Sequence, residues 1–257
     1  MQPIVTIVTV AYNARDAVQI TIRNIEQQTF KNYEYIVIDG ASTDGTVKML
    51  EEYSGIPIKW VSEPDKGIYD AMNKGVLLAK GHWIIFMNAG DKFATKDVLS
   101  KVFTVAPTTD VIYGDVVKNR FVKKAEKPHN AHRMFFCHQS CFIRKSCLTD
   151  FPFDIKHKMS ADFKQIKQLW YKKKSFTQLY FPIAEYDTTG ISNTNRSKGL
   201  LDNIKVIWEE DTFIEKAKLL PRILFVYLIC KLRGKKITKP SEKGLSITDF
   251  IQRLKRQ

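Results

Sequence analysis

The first half of the sequence alternates short apolar runs with helix-like segments, and this alternation constrains the fold more than any other feature. The run from Val5 to Ala11 is rich in β-branched residues and nearly continuously apolar, which is typical of a strand buried on both faces. Similar runs at 35–38, 58–61, 83–87 and 111–113 predict four more strands, and segments 16–28, 46–52, 68–79 and 96–105 predict helices between them. Repeated strand–helix units of this length predict an α/β fold with a mostly parallel sheet.

The pattern changes after residue 115. One clear helix is predicted from Ala161 to Tyr171, and short alternating stretches predict strands at 120–124, 139–143 and 176–183. From Ser197 onward the sequence is typical of basic helices, and Pro221 is predicted to break them. We therefore expect three parts, with boundaries at 1–115, 116–195 and 196–257.

The positive charge of the chain lies in its second half. Lys and Arg number 41 against 27 Asp and Glu, a formal net charge of +14, which on its own suggests nucleic acid, an anionic membrane or a phosphate-bearing substrate. Residues 1–110 carry 11 basic and 13 acidic side chains, whereas residues 111–257 carry 30 and 14. The aromatic residues of the basic half form no known RNA-binding signature, so nucleic acid is the weaker alternative and we expect no nucleic-acid partner.

Composition excludes several classes of protein. The chain is 44% hydrophobic, which is ample for a core and excludes a disordered or collagen-like protein. Four cysteines in 257 residues do not make a disulfide framework. The N-terminus lacks the features of a signal peptide, and the longest apolar run, Ile223 to Cys230, is too short to span a membrane. We expect a cytoplasmic protein.

Polar side chains follow each of the first four predicted strands. They are Tyr12 and Asn13 after the first strand, Asp39 after the second, Glu63 and Asp65 after the third, and Asn88 and Asp91 after the fourth. A single such residue is common, because Asp and Asn favour turns and helix N-caps. Four strands that end this way indicate a ligand site, because ligands of parallel sheets bind at the carboxyl ends of the strands.

The sequence contains neither of the two glycine-rich phosphate-binding motifs. No G-x-G-x-x-G follows the first strand, and no G-x-x-x-x-G-K-[ST] occurs anywhere. Without these motifs, the mode of nucleotide binding that remains is through carboxylates, with a divalent cation that bridges the phosphates. Mg²⁺ or Mn²⁺ would take oxygen ligands there, and Asp91 at the end of an apolar strand is well placed to provide one.

Six stretches match a known family in order and spacing. They are Val8–Asn13, Val37–Thr46, Ser62–Gly75, Phe86–Asp91, His138–Ser140 and Ser160–Asp162. Between Ile4 and about Ser192 the chain resembles the family 2 glycosyltransferases of the GT-A fold, in particular bacterial enzymes that build surface polysaccharides. The resemblance implies a Rossmann-like, mostly parallel central sheet with flanking helices, to which this chain adds a basic helical C-terminal extension.

The resemblance also implies roles for individual residues. Asp39 would hydrogen-bond the nucleotide base, expected to be uracil. The loop that contains Thr9, Ala11, Tyr12 and Asn13 would form the base pocket, and Asp65 and Asn73 would line the donor. Asp91 would bind the metal, and Asp162 would act as the general base on the acceptor hydroxyl. His138 and Gln139 would lie on the acceptor or diphosphate side.

Two positions depart from the family pattern. Gly90 stands where many relatives have a first Asp of a pair, which leaves one carboxylate and makes the amide oxygen of Asn88 a candidate ligand. Met72 stands where many relatives have Arg, so a diphosphate contact is expected to pass to Lys66, Lys74 or the basic half.

The implied activity is inverting sugar transfer from a nucleotide-sugar donor, expected to be a UDP-sugar, to a glycan or a polyprenyl-diphosphate-linked acceptor. On this interpretation residues 1–115 bind the donor and 116–195 the acceptor. The segment Leu219–Lys236 joins an apolar helix to basic residues, and either lies on an anionic membrane surface or packs on the core. Membrane contact would place the protein at the inner face of the plasma membrane. The alternatives are a catalytically impaired nucleotide-binding relative and a nucleotidyltransferase.

Overall fold

Four parallel strands form one half of the central sheet. In the computed structural model, which describes residues 2–104, 108–187 and 196–234, the sheet begins with the order β3-β2-β1-β4. The strands are β1 (Val5–Ala11), β2 (Tyr33–Asp39), β3 (Lys59–Ser62) and β4 (Trp83–Phe86). All three pairings between them are parallel, as the strand–helix alternation predicts.

Helices cover both faces of this half. They are α1 (Arg15–Glu26), α2 (Thr46–Glu52), α3 (Ile68–Leu78) and α4 (Val98–Phe103). The apolar stripes of α1, α2 and α4 pack on one face of the sheet, and α3 packs on the other. The contact of α3 with the sheet is close, because a methyl group on Gly75 would come within 2.5 Å of a methyl carbon of Val8.

The second half extends the same sheet with mixed strand directions. Its strands are β5 (Lys92–Phe93), β6 (Val111–Lys118), β7 (Phe121–Lys123), β8 (Cys141–Arg144) and β9 (Phe176–Glu185), and the order continues β4-β8-β6-β9-β5, with β7 beside β6. β8 runs antiparallel to both β4 and β6, so β6 has the direction of β4 but is separated from the four parallel strands by β8. A short 3-10 helix (His138–Ser140) precedes β8, and α5 (Lys145–Asp150) and α6 (Ala161–Tyr171) follow it.

Two helices at the C-terminal end pack on α6. They are α7 (Arg196–Glu210) and α8 (Phe213–Gly234), and their buried residues Val206, Leu219 and Ile223 pack with Phe163 of α6. The prediction that Pro221 breaks the helix is wrong, since α8 continues through it. Proline there removes one backbone hydrogen bond, and the buried residues on either side hold the helix against α6 and α7. Residues 235–257 of the predicted extension lie outside the described residues.

None of the described helices is both long enough and apolar enough to cross a membrane. All four cysteines are free thiols. The α/β architecture with flanking helices and a helical C-terminal part is confirmed.

Candidate active site

The carboxyl ends of β1, β2, β3 and β4 bring the predicted donor-side residues to one edge. Strand register sets Asp39 beside Ala11 on one side and beside Ser62 on the other. Phe86, the last residue of β4, pairs with Val8 of β1. Since the strands are parallel, the loops that follow them meet at this edge.

Asp39 is fully buried at this edge and is already oriented by the protein. Its carboxylate accepts hydrogen bonds from the Ser42 backbone amide at 2.9 Å, the Ser42 hydroxyl at 2.5 Å and the Ser62 hydroxyl at 2.7 Å. A carboxylate has about four acceptor positions, so one remains after these three bonds.

The loop after β1 is fastened to the loop after β2. Asn13 has a positive φ of 47°, its backbone amide donates to the Ser42 hydroxyl, and its side-chain oxygen accepts from the Thr43 amide at 2.8 Å. Tyr12 beside it is 68% exposed, so its ring is available to a ligand. Thr9, in contrast, is buried, and its hydroxyl bonds to the Tyr35 hydroxyl and the Met87 carbonyl.

Asp65 reaches this corner from the loop after β3. A methyl group on Gly40 would come within 2.6 Å of Asp65 Oδ2 and 3.3 Å of the Tyr12 ring, so the three residues lie together. The other oxygen of Asp65 accepts from the Gly67 amide at 2.7 Å. Lys66 is exposed at the mouth of this loop.

Asn73 and Lys74 are both bound to other parts of the protein. The Asn73 amide donates to the Phe153 carbonyl at 2.9 Å and accepts from the Phe153 amide at 3.0 Å. The Lys74 ammonium contacts the Pro64 carbonyl and pairs with Glu63 at 2.8 Å. Asn73 therefore joins α3 to the segment before α6, and of the two lysines Lys66 is the more accessible.

Asp91 lies buried after β4, beside an acid that the sequence gave no reason to connect with it. Asp91 accepts hydrogen bonds from the Asp187 amide at 2.8 Å and the Asn88 amide at 3.2 Å. A methyl group on Gly90, whose φ is +95°, would lie 2.6 Å from Asp187 Oδ2. The Asp187 carboxylate therefore occupies the space that a side chain at position 90 would need.

The donor atoms at this corner fit a hard divalent cation. Burial, and to a smaller extent the charge of Asp187, raises the pKa of Asp91 to about 7. The buried Oδ1 of Asn88 has no hydrogen-bond partner among the described residues. Two adjacent carboxylates and an unpartnered amide oxygen are the oxygen ligands that Mg²⁺ and Mn²⁺ prefer, and a cation would compensate for the burial of the Asp91 carboxylate.

The residues predicted for the acceptor side lie next to the end of β4. The buried His138 ring stacks on Phe86 at a centroid distance of 5.4 Å and contacts Phe153 at 5.6 Å. Burial lowers the pKa of His138, and the charge of Asp162 opposes that shift. The Nε2 atom of His138 is buried without a partner among the described residues, whereas the Gln139 side chain accepts from the Cys137 thiol.

Asp162 stands in the first turn of α6 and is bonded to α3. Its Oδ1 accepts from the Tyr69 hydroxyl at 2.9 Å. The charges of Asp91 and Asp162 both act on the Cys137 thiol, next to His138 in the chain, and add to the burial that raises its pKa to about 11.

Sequence reasoning did not identify Tyr69 or Asp187 as site residues. Tyr69 lies inside one of the matching stretches, so its motif context was an available signal. Asp187 lies 96 residues after Asp91 and reaches it only through the packing of β9, so no local pattern marks it.

Comparison with known proteins adds a family and a fold to this geometry. The family described as "Glycosyl transferase family 2" matches residues 6–176. A PGL/p-HBAD biosynthesis glycosyltransferase of Mycobacterium bovis is 27% identical over 215 residues, which is 79% of this chain and 84% of the relative. A putative teichuronic acid biosynthesis glycosyltransferase of Bacillus subtilis is 34% identical over 103 residues, 39% of this chain and 40% of that relative.

Two solved structures have a similar fold. A mannosyltransferase from Pyrobaculum calidifontis, in complex with GDP-mannose and Mn²⁺, superposes with a TM-score of 0.64 at 16% identity and covers 81% of this chain. This chain spans 64% of that protein's chain. Residues 1–349 of S. aureus TarS, in complex with UDP, superpose with a TM-score of 0.62 at 18% identity and cover 89% of this chain and 71% of theirs. The expected GT-A fold is confirmed.

Proposed function

The chain belongs to glycosyl transferase family 2 and is a glycosyltransferase, and from this premise we propose that it transfers a sugar, with inversion, from a UDP-sugar to a surface-glycan acceptor. The acceptor is a growing glycan or a sugar on a polyprenyl diphosphate, in cell-surface polysaccharide biosynthesis. The name of the B. subtilis relative, which refers to teichuronic acid, supports this acceptor class, and the UDP complex of TarS supports the donor.

One observation carries the proposal: the acids that the sequence predicts for the donor side and for the acceptor side lie at the same edge of the sheet. Asp39, Asp65 and Asp91 lie at or after the ends of parallel strands. Asp162 joins them from α6 through its bond to Tyr69, the second residue of the helix that follows β3. Carboxylates from two halves of a domain suit a reaction in which one half holds a diphosphate and the other removes a proton.

In the proposed complex the nucleoside lies over the corner formed by Tyr12, Gly40 and Asp65. The remaining acceptor position of Asp39 takes the N–H of uracil. The buried residues Thr9 and Ala11 form the floor of this pocket, and the exposed Lys66 is the cation that contacts the phosphates.

Mg²⁺ or Mn²⁺ is proposed to bind at Asp91, with Asp187 as the second carboxylate and Asn88 as an amide ligand. Asp187, from a distant part of the sequence, thus takes the place of the first Asp that many relatives have at the position of Gly90. When bound, the cation supplies positive charge that stabilises the departing nucleoside diphosphate.

The chain's own residues remove the acceptor proton and orient the acceptor. Asp162 takes the proton from the acceptor hydroxyl as its oxygen attacks the anomeric carbon from the face opposite the diphosphate. The buried, neutral His138 and the side chain of Gln139 orient the acceptor. One displacement of this kind inverts the anomeric configuration.

A donor panel tests the proposal. The full chain is incubated with UDP-, GDP- and dTDP-sugars and Mn²⁺, and release of nucleoside diphosphate is measured. We expect a UDP-sugar to be consumed, and EDTA to stop its consumption, because the buried acids at Asp91 need a cation to hold the diphosphate.

The same panel separates the alternatives. Binding of UDP without turnover would indicate the catalytically impaired relative. Formation of a sugar nucleotide from a nucleoside triphosphate and a sugar phosphate, with release of pyrophosphate, would indicate the nucleotidyltransferase. Consumption of a GDP- or dTDP-sugar alone would contradict the UDP assignment and leave the reaction class intact.

The metal site has a prediction that does not depend on turnover. Asp91→Asn and Asp187→Asn are each expected to weaken Mn²⁺ binding in the presence of UDP by at least about 10-fold, since each removes a charged ligand. Loss of free Mn²⁺ signal in electron paramagnetic resonance measures the binding. Asp97→Asn is the matched control, because Asp97 is an acid on the same segment bonded to Thr95 and Lys101. Unchanged binding in Asp187→Asn would remove it from the site.

α8 offers a surface for an anionic membrane. Ile214, Phe225 and Leu228 are 66%, 64% and 56% exposed. Their spacing of 11 and 3 residues sets them on one helix face, opposite the buried Leu219 and Ile223. We call these three residues the outer face of α8.

Lys218 and Arg222 flank the outer face of α8 and are exposed, so the helix combines apolar area with cations, as interfacial helices do. The surface would hold the enzyme at the inner face of the plasma membrane, where lipid-linked acceptors lie.

Replacing part of the outer face tests membrane contact without cutting the chain. The double variant Phe225→Ser, Leu228→Ser is expected to lower binding to phosphatidylglycerol vesicles by about 10-fold or more, because two large apolar side chains no longer enter the interface. Co-sedimentation measures the binding, with phosphatidylcholine vesicles as the neutral comparison. Leu77→Ser is the control, since Leu77 is 79% exposed on α3. Equal sedimentation of the double variant and the unmodified chain would refute the surface.

A further inference from the structure

The two carboxylate oxygens of Asp162 are in different environments. Oδ1 accepts from the Tyr69 hydroxyl at 2.9 Å and from the Phe163 backbone amide at 2.8 Å. Oδ2 accepts no hydrogen bond from the part of the chain that the structure describes. One oxygen is therefore held by two donors, and the other is open to a substrate.

The position of Tyr69 is fixed by the start of α3. Gly67, just before the helix, has a φ of +121°, a conformation that favours glycine, and Tyr69 is the second helical residue. Its buried ring packs on Phe153 at 5.5 Å, and one turn later the Asn73 side chain pairs with the backbone of the same Phe153. α3 thus contacts the segment that leads to Asp162 at two consecutive turns, so the hydroxyl has little freedom to leave it.

Tyr69 is the neighbouring titratable side chain that donates a hydrogen bond to the Asp162 carboxylate. Burial, and then the charge of Asp162, raises the pKa of Tyr69 well above its ordinary value, so its hydroxyl keeps its proton and stays a donor. Burial raises the pKa of the Cys137 thiol to about 11 and that of Cys141 well above its ordinary value, and it lowers that of His138. These four groups are thus neutral near pH 7, and the other charge that acts on Tyr69 is that of Asp202. No cation pairs with Asp162 among the described residues.

We propose that Tyr69 is a positioning residue that occupies Oδ1 of Asp162, so that Oδ2 is the atom that receives the acceptor proton. The inference rests on the proposed role of Asp162 as the base. In the step, the acceptor O–H bond breaks and its proton goes to Oδ2 while the acceptor oxygen bonds to the anomeric carbon. The electron pair of the broken anomeric C–O bond leaves with the nucleoside diphosphate. The phenol also stabilises the ionised carboxylate by hydrogen bonding.

The test is Tyr69→Phe in the full chain, which removes one oxygen atom and keeps the ring on Phe153. Aspartate is labelled with ¹³C at the carboxyl carbon, and the Asp162 resonance is identified by its loss in Asp162→Asn. We expect the chemical shift of this resonance to change, because the Asp162 carboxylate loses the phenol as a hydrogen-bond donor to Oδ1. Turnover of the donor found in the panel is expected to fall by about 10- to 100-fold with its KM unchanged.

Tyr113→Phe is the matched control, because it also removes a buried hydroxyl, one that donates to the Glu126 carbonyl at 2.9 Å. It should leave the Asp162 resonance unchanged. If Tyr69→Phe also leaves that resonance unchanged, the positioning role is refuted, whatever the activity. If the resonance shifts but Asp162→Asn retains its turnover, the hydrogen bond to Oδ1 holds, and the proposed role of Asp162 as the base fails together with the role of Oδ2.

Discussion

Replacing Asp162 with asparagine is expected to lower the rate of sugar transfer by about 10²- to 10⁴-fold, the usual contribution of a positioned general base. The amide has nearly the shape of the carboxylate but cannot take a proton. Its oxygen can still accept from the Tyr69 hydroxyl and the Phe163 amide, so the start of α6 should be undisturbed. Donor binding should be unchanged, because Asp162 is proposed to contact the acceptor and not the nucleotide.

Two measurements separate these effects. Release of nucleoside diphosphate from the donor found in the panel gives the turnover, and calorimetric titration with UDP and Mn²⁺ gives the affinity. Asp150→Asn is the control, because Asp150 is an exposed acid at the end of α5. A variant that keeps more than about a tenth of the turnover would remove Asp162 from the role of base.

The second large effect is expected for stability. Lys167→Met should lower the free energy of unfolding by about 3–5 kcal/mol, the usual cost of leaving a buried charge unpaired. The Lys167 ammonium lies 2.6 Å from Asp211 Oδ2 and 2.6 Å from the Asn130 carbonyl oxygen. The side chains of Lys167 and Asp211 are 3% and 0% exposed, and burial lowers the pKa of the lysine. The pair joins α6 to the turn between α7 and α8.

Urea unfolding measures this loss. Lys48→Met is the control, since Lys48 and Glu52 form an exposed pair 3.8 Å apart whose removal should change stability little. Adding Asp211→Asn to Lys167→Met should recover part of the loss, because the uncompensated charge is then gone. A loss below about 1 kcal/mol in Lys167→Met would contradict the view that this pair anchors the C-terminal helices.

The pair of Lys167 and Asp211 also affects the site, because α6 carries the proposed base Asp162. A second set of bonds ties α7 to the segment just before Asp162. Asp202 accepts from the Met159 amide at 2.9 Å and contacts the buried His157 at 3.0 Å. The C-terminal helices therefore hold both ends of the segment that carries the proposed base, and a membrane surface bound by α8 would act on the acceptor side of the site.

Much of the parallel half was accessible from the sequence, because apolar periodicity is a local property. α2 and α6 have the predicted bounds, and β1 to β4 agree within about two residues. β5 was missed, since a strand of two residues has no period to detect. Pro221 was misjudged because packing of α8 on α6 and α7 outweighs one lost hydrogen bond.

By itself the sequence determined the strand–helix order, the edge where polar residues collect and the family. Each of these depends on residues close together in the chain: the period of apolar side chains and the motifs at strand ends. Only the tertiary structure decided that Asp187 adjoins Asp91, that Tyr69 holds one oxygen of Asp162, and that Asn73 is bound to Phe153. Those contacts join residues 80 to 96 positions apart, and they arise when sheet register and helix packing bring distant segments together, which no local pattern encodes.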